Sequence, residues 1–138
     1  MKNFLIENYH DLKFLLIIAI MFGFVILIFI SYVINKCNYE QIVKLYEKKF
    51  DRLPQTARMA KGASLISSPA AYHAKIGFVM GSLIFPYNRI TNNDMSVEGY
   101  NFIRSLPGYL ITGFRVEAVV WFILIILISC LIFMENIV

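Results

Sequence analysis

Charge is scarce in this chain, and two stretches have almost none. Asp, Glu, Lys and Arg make up 16% of the 138 residues while apolar residues make up 59%. Soluble domains run near ~25% charged. Histidine and cysteine are as rare, with two of each. His73 has no cysteine, carboxylate or second histidine at ligand spacing, and the only other histidine, His10, stands on the far side of the first apolar stretch. That argues against a His-based metal site within one chain. Cys37 lies just past the first apolar stretch and Cys130 about fourteen residues into the second, roughly 21 Å deep at ~1.5 Å per residue. If both stretches span a bilayer, their Cα atoms cannot reach the ~7 Å that a disulfide needs.

Catalytic signatures are missing too. Ser64, Ser67, Ser68 and Ser82 lie near His73 in sequence, but no G-x-S-x-G elbow surrounds any of them. Asp94 and Glu98 are four residues apart, and helix capping accounts for them without an acid–base partner. No Gly-rich loop accompanies the basic residues, so no nucleotide site is expected. The reading is a non-enzymatic protein with no catalytic residue, no cofactor and no nucleic-acid partner.

What the chain does have is two long apolar runs. Residues 14–34, FLLIIAIMFGFVILIFISYVI, carry no charge, and Lys13 and Lys36 bracket them. Residues 116–134, VEAVVWFILIILISCLIFM, carry only Glu117, at the edge, with Arg115 before it and Trp121 near that end. A bilayer core about 30 Å thick needs about twenty helical residues, and a chain this small cannot wrap two such helices as buried core. The first run is longer than a signal-peptide core, and no A-x-A-like site follows it. Asn35 and Lys36 before Cys37 do not fit a lipoprotein signal. The spans lack a central charge of the kind ion and proton pathways carry.

These runs divide the chain into a tail (1–13), a first span (14–34), a middle domain (35–115), a second span (116–134) and a tail (135–138). The fold class expected is an all-α integral membrane protein, a two-span helical hairpin with a small helical domain inserted between the spans. The middle holds eleven Lys/Arg against five Asp/Glu, a net +6. Lys36, Lys44, Lys48, Lys49 and Arg52 follow the first span, Arg104 and Arg115 precede the second, and the C-terminal tail has no base. Lys2 and Lys13 are the N-terminal bases. By the positive-inside rule the middle is cytoplasmic and both termini are periplasmic, in a bacterial inner membrane.

Within the middle, Asn38 is expected to cap a helix running to about Arg52, with Tyr39, Ile42, Val43, Tyr46 and Phe50 at helical spacing. That helix could equally continue the first span. Leu53-Pro54 breaks it. Ser67-Ser68-Pro69 reads as the start of a helix that stops at Pro86, with serine as the expected cap and proline in the first turn. Its apolar part, about eleven residues, is short for a span, so the helix is read as buried or interfacial, with a third span as the alternative. Thr91-Asn92-Asn93-Asp94 is a turn, after which Asp94 or Ser96 caps a helix near 95–106. Leu106-Pro107-Gly108 ends that helix, and the last one begins near Tyr109 with Gly113 tolerated inside it.

Two residue sets stand out as contact candidates. Ala70, Ala74, Gly77 and Gly81 share one helix face, and Ala19 and Gly23 are spaced alike in the first span. Small residues at such spacing allow close helix approach, to another span or to a partner. Lys44, Lys48, Lys49, Arg52, Arg58 and Lys61 are candidates for contact with anionic lipid or an acidic partner. The expected partners are membrane lipids and a protein, a toxin or a membrane-complex subunit, with a homodimer as an alternative. The function expected is that of a small interaction protein of the bacterial membrane, more sharply an immunity protein neutralising a membrane-acting toxin. An accessory subunit of a larger membrane complex is the alternative, and a holin- or toxin-like permeabilising protein ranks below it. The Ile-, Asn- and Lys-rich composition suits an AT-rich gene.

Overall fold

A computed structural model of the protein describes residues 8–137. Lys2, one of the bases used for orientation, and Val138 lie outside the described residues. Among those described every regular element is helical: α1 (Tyr9–Phe29), a π-helical segment (Ile30–Asn35), α2 (Lys36–Phe50), α3 (Gln55–Met59), α4 (Pro69–Ile84), α5 (Val97–Ser105) and α6 (Gly108–Ile137). Two helical runs are long and apolar enough to cross a membrane, Tyr9–Phe50 and Gly108–Asn136. The chain forms two compact units, one of residues 1–27 and 119–138, the other of residues 28–118.

The first unit consists of apolar helix with its large side chains on the outside. Phe14, Met21, Phe22 and Val25 of α1 are exposed, as are Phe122, Ile125, Ile132 and Phe133 of α6. Leu27 and Leu124 are buried. The helices meet at Gly23, where a Cβ would come within 2.6 Å of Leu124 Cδ2. Phe24 packs edge-on against Trp121 with ring centroids 6.4 Å apart, and Lys13 pairs with Glu135 at 2.8 Å.

The second unit has a conventional core. Ile42, Ala57, Val79, Ile103 and Phe114 have no exposed surface. They come from five helices, so the unit is packed across its elements. Helix α4 packs on α3 and α5, and α5 on α2. A chain of edge-to-face aromatic contacts joins α2, α4 and α5: Tyr46 lies 5.5 Å from Phe78 and 6.0 Å from Phe102, and Phe50 lies 5.6 Å from Phe102. Such pairs add about 0.5–1.5 kcal/mol each beyond their burial. Gly99 lets α5 approach Tyr46, because a Cβ there would run into the Tyr46 hydroxyl.

Local chemistry explains most of the ends. Asp51 takes a left-handed conformation (φ 64°) and its N–H bonds to Glu47 O at 2.8 Å, which closes α2. Pro69 opens α4 in its first turn, where its missing N–H costs no bond. Ser96 caps α5 by accepting from Gly99 N at 3.1 Å.

Of the two readings for Asn38, the continuous helix is the one found: the helical run passes through it uncapped, and its Nδ2 donates to Tyr109 O at 3.2 Å. Ser68 holds the capping position of α4 without a side-chain cap bond. Asp94 caps not α5 but the distant α3, accepting from Thr56 N at 2.8 Å and Thr56 Oγ1 at 2.7 Å.

Candidate functional site

The most unusual chemistry of the second unit is a buried polar junction where the π segment, α4 and α6 meet. Ser31, Asn35, Tyr72 and Glu117 are all buried, and Glu117 has no exposed surface. Ser31 Oγ donates to Tyr72 OH at 2.7 Å. Tyr72 OH donates in turn to the Glu117 carboxylate, at 3.1 Å from Oε1 and 3.2 Å from Oε2. Asn35 Nδ2 donates to Glu117 Oε2. The hydroxyls therefore point one way, from Ser31 through Tyr72 to the carboxylate.

Desolvating a carboxylate costs several kcal/mol unless donors replace water. Here the donors come from sequence-distant elements, so the junction ties the π segment, α4 and α6 together. Burial, and then the neighbouring Glu117 carboxylate, hold the Tyr72 hydroxyl well above the ordinary phenol range, so it stays a donor.

The backbone is adapted to the junction. Ser31, Asn35, Tyr39 and Val43 are buried at intervals of four, a spacing that drifts about 40° per step on an α-helix. The wider turn of the π segment takes up part of that drift and keeps Ser31 and Asn35 on the inward face. On α6, Gly113 lies one turn before Glu117. A Cβ there would strike Asn35 Oδ1 and come within 2.8 Å of Ile34 Cγ2. Gly113 is therefore the opening that admits the Asn35 amide, where the sequence suggested a merely tolerated residue. Asn35 Oδ1 is buried with no hydrogen-bond partner among the described residues.

Beside the junction lies a half-open cavity of about 230 Å³. Ser31, Asn35 and Tyr72 form part of its wall, while Lys36, Glu40 and Lys75 supply its charge. Lys75 Nζ donates to Ala63 O at 3.2 Å and sits 4.9 Å from the Tyr39 ring centroid. The Tyr39 hydroxyl, donating to Lys75 O at 3.3 Å, is pushed up to about 12, mainly by burial and then by Glu47.

The contact candidates fall elsewhere. On α4 the inward face is Tyr72, Ile76, Val79 and Leu83. Ala70 and Ala74 are exposed, and a Cβ on Gly77 would meet nothing within 4 Å. Gly81 alone of that set approaches another segment, with Thr91 O 3.7 Å from its would-be Cβ. In the first unit Gly23 faces Leu124, whereas Ala19 is exposed. Lys44, Lys48, Lys49, Arg52, Arg58 and Lys61 are all exposed. Lys49 lies over the Phe102 ring at 4.8 Å.

The junction was only half visible in sequence. Ser31 and Glu117 stand out as polar exceptions in apolar helix, but nothing marks Tyr72 or Asn35 as their partners. The Gly113–Glu117 spacing was the available signal: a glycine one turn from a lone carboxylate on an apolar helix. No family model, no curated protein and no solved structure matches this chain.

Proposed function

We propose that this chain is a non-enzymatic interaction protein of the bacterial cytoplasmic membrane. Two spans, residues 14–34 and 116–134, form a hairpin, the helical middle domain is cytoplasmic, and both termini are outside. The observation that carries the reading is the outward face of α1 and α6. Each large apolar side chain left in water forgoes about 1.5–3 kcal/mol. More than a dozen of them are 38–65% exposed on these helices, so what they forgo is comparable to the ~5–15 kcal/mol by which folded domains are stable. A bilayer removes that cost.

The sharper reading is an immunity protein that binds a membrane-acting toxin in or at the bilayer. It is supported by the outward small-residue face of Ala70, Ala74 and Gly77, which no other described segment covers. The same free face supports the second reading, an accessory subunit of a membrane complex. Expressing the chain in cells challenged with the toxin encoded beside its gene tests the first: survival is expected, and normal killing defeats it. Stoichiometric co-purification with a membrane complex would decide for the second.

A further inference from the structure

The cavity beside the junction has a charge pattern of its own. Lys36 and Lys75 both lie on it, with Glu40 one turn along α2 from Lys36. Burial holds the Lys75 ammonium below its ordinary range; Glu40 opposes the shift, and the like charge of Lys36 adds to it more weakly. With two ammonium groups against one carboxylate, the wall carries a net positive charge that favours an anion. An ammonium has three donors, and Lys75 uses one on Ala63 O. Tyr32 and Ser64 line the same wall.

Size and depth narrow the ligand. At about 230 Å³ the cavity falls below the roughly 300–1,000 Å³ of sites that enclose drug-sized molecules. It suits one headgroup and not a whole amphiphile. Ile34 ends the apolar run, so at ~1.5 Å per residue Lys36 and Glu40 sit about 3 and 9 Å beyond it along the helix. The headgroup layer on each side of a bilayer is about 5–7 Å thick. The cavity wall thus runs through the depth at which lipid phosphates lie, beside the exposed ring of Tyr32.

We infer that this cavity binds the phosphodiester headgroup of a membrane lipid, with the phosphate between Lys36 and Lys75 and any headgroup amine on Glu40. The choice of a lipid over free phosphate rests on the membrane reading above. Native mass spectrometry of the full chain in maltoside detergent tests it, with short-chain phosphatidylglycerol, phosphatidylethanolamine, inorganic phosphate and glycerol phosphate as separate probes. One retained lipid per chain is expected, with phosphate and glycerol phosphate neither retained nor competing at equal concentration. Lys36→Gln with Lys75→Gln is expected to reduce retention at least tenfold, as is Ala63→Leu, which fills the cavity and leaves the charges in place. Arg89→Gln with Arg115→Gln, two exposed bases away from the cavity wall, is expected to change it less than twofold. Equal loss in that control pair, or unchanged retention in a folded Ala63→Leu protein, would overturn the site. Equal retention of inorganic phosphate would overturn the lipid as its source. Carbonate extraction of the same membranes separates the two proposals: release of the wild-type chain sinks the membrane reading, whereas an integrated chain that retains no lipid sinks only the headgroup site.

Discussion

Gly113→Ala sets two rules against each other. In a helix interior, alanine is favoured over glycine by about 1 kcal/mol, and α6 is regular through Gly113. Propensity alone therefore predicts stabilisation. The junction predicts the opposite, because the new Cβ strikes Asn35 Oδ1 and crowds Ile34 Cγ2 at 2.8 Å. If Asn35 stays, the overpacking costs about 1–3 kcal/mol. If it swings away, Glu117 loses the Asn35 hydrogen bond, and a bond to a charged group contributes about 1.5–3 kcal/mol. These are alternatives, so one of them is offset by the propensity gain, leaving a net destabilisation of about 0–2 kcal/mol where propensity alone predicts a gain. Gly77→Ala is the matched control: it lies inside α4, and its Cβ would meet nothing within 4 Å, so it should gain about 1 kcal/mol. Denaturant unfolding in detergent micelles, followed by circular dichroism, reads both. In an Asn35→Ala background, Gly113→Ala should turn stabilising. Equal gains from Gly113→Ala and Gly77→Ala in the wild-type background would refute the reasoning.

Other outcomes follow from the same contacts. Tyr72→Phe removes the hydroxyl that links Ser31 to Glu117 and should destabilise by about 1.5–3 kcal/mol in the same assay, with Ser31→Ala adding little on top. Asp94→Ala should cost about 0.5–2 kcal/mol, the range for a lost helix cap, and Thr56→Val should add little to it; full additivity would mean that the two are not partners. Tyr39 gives a pH signature. Burial holds its hydroxyl at about 12, above the ordinary 10.0 of tyrosine, so its contribution is complete below pH 10 and is lost as pH rises through about 12. Melting temperature should therefore fall between pH 10 and 12 in the wild type, and less steeply in Tyr39→Phe.

The sequence was most informative where one residue type decides the local structure. Pro69, Ser96 and Leu106-Pro107-Gly108 mark helix ends that the structure keeps within a residue or two. The two apolar runs are legible for the same reason, since no other element tolerates twenty uncharged apolar residues. What could not be read are long-range choices. Asn38 has a good capping side chain, but the helical run through it is continuous and overrides local propensity. Asp94 reaches Thr56, 38 residues away. On α4 the small residues drew attention, whereas packing selected the opposite face, Tyr72–Ile76–Val79–Leu83. Glu117, read as a charge at the edge of a span, is fully buried because three elements converge on it.

The most direct test of the account uses the two native cysteines, both exposed on the protein surface. A membrane-impermeant maleimide is applied to intact spheroplasts, to inverted membrane vesicles and to denatured protein. If the apolar helices span the bilayer with the middle domain in the cytoplasm, Cys37 stays unlabelled in spheroplasts and is labelled in inverted vesicles. Cys130, within the second span, is labelled only after denaturation. Labelling of Cys37 in intact spheroplasts would contradict the topology, and labelling of Cys130 in either intact membrane would contradict the span itself.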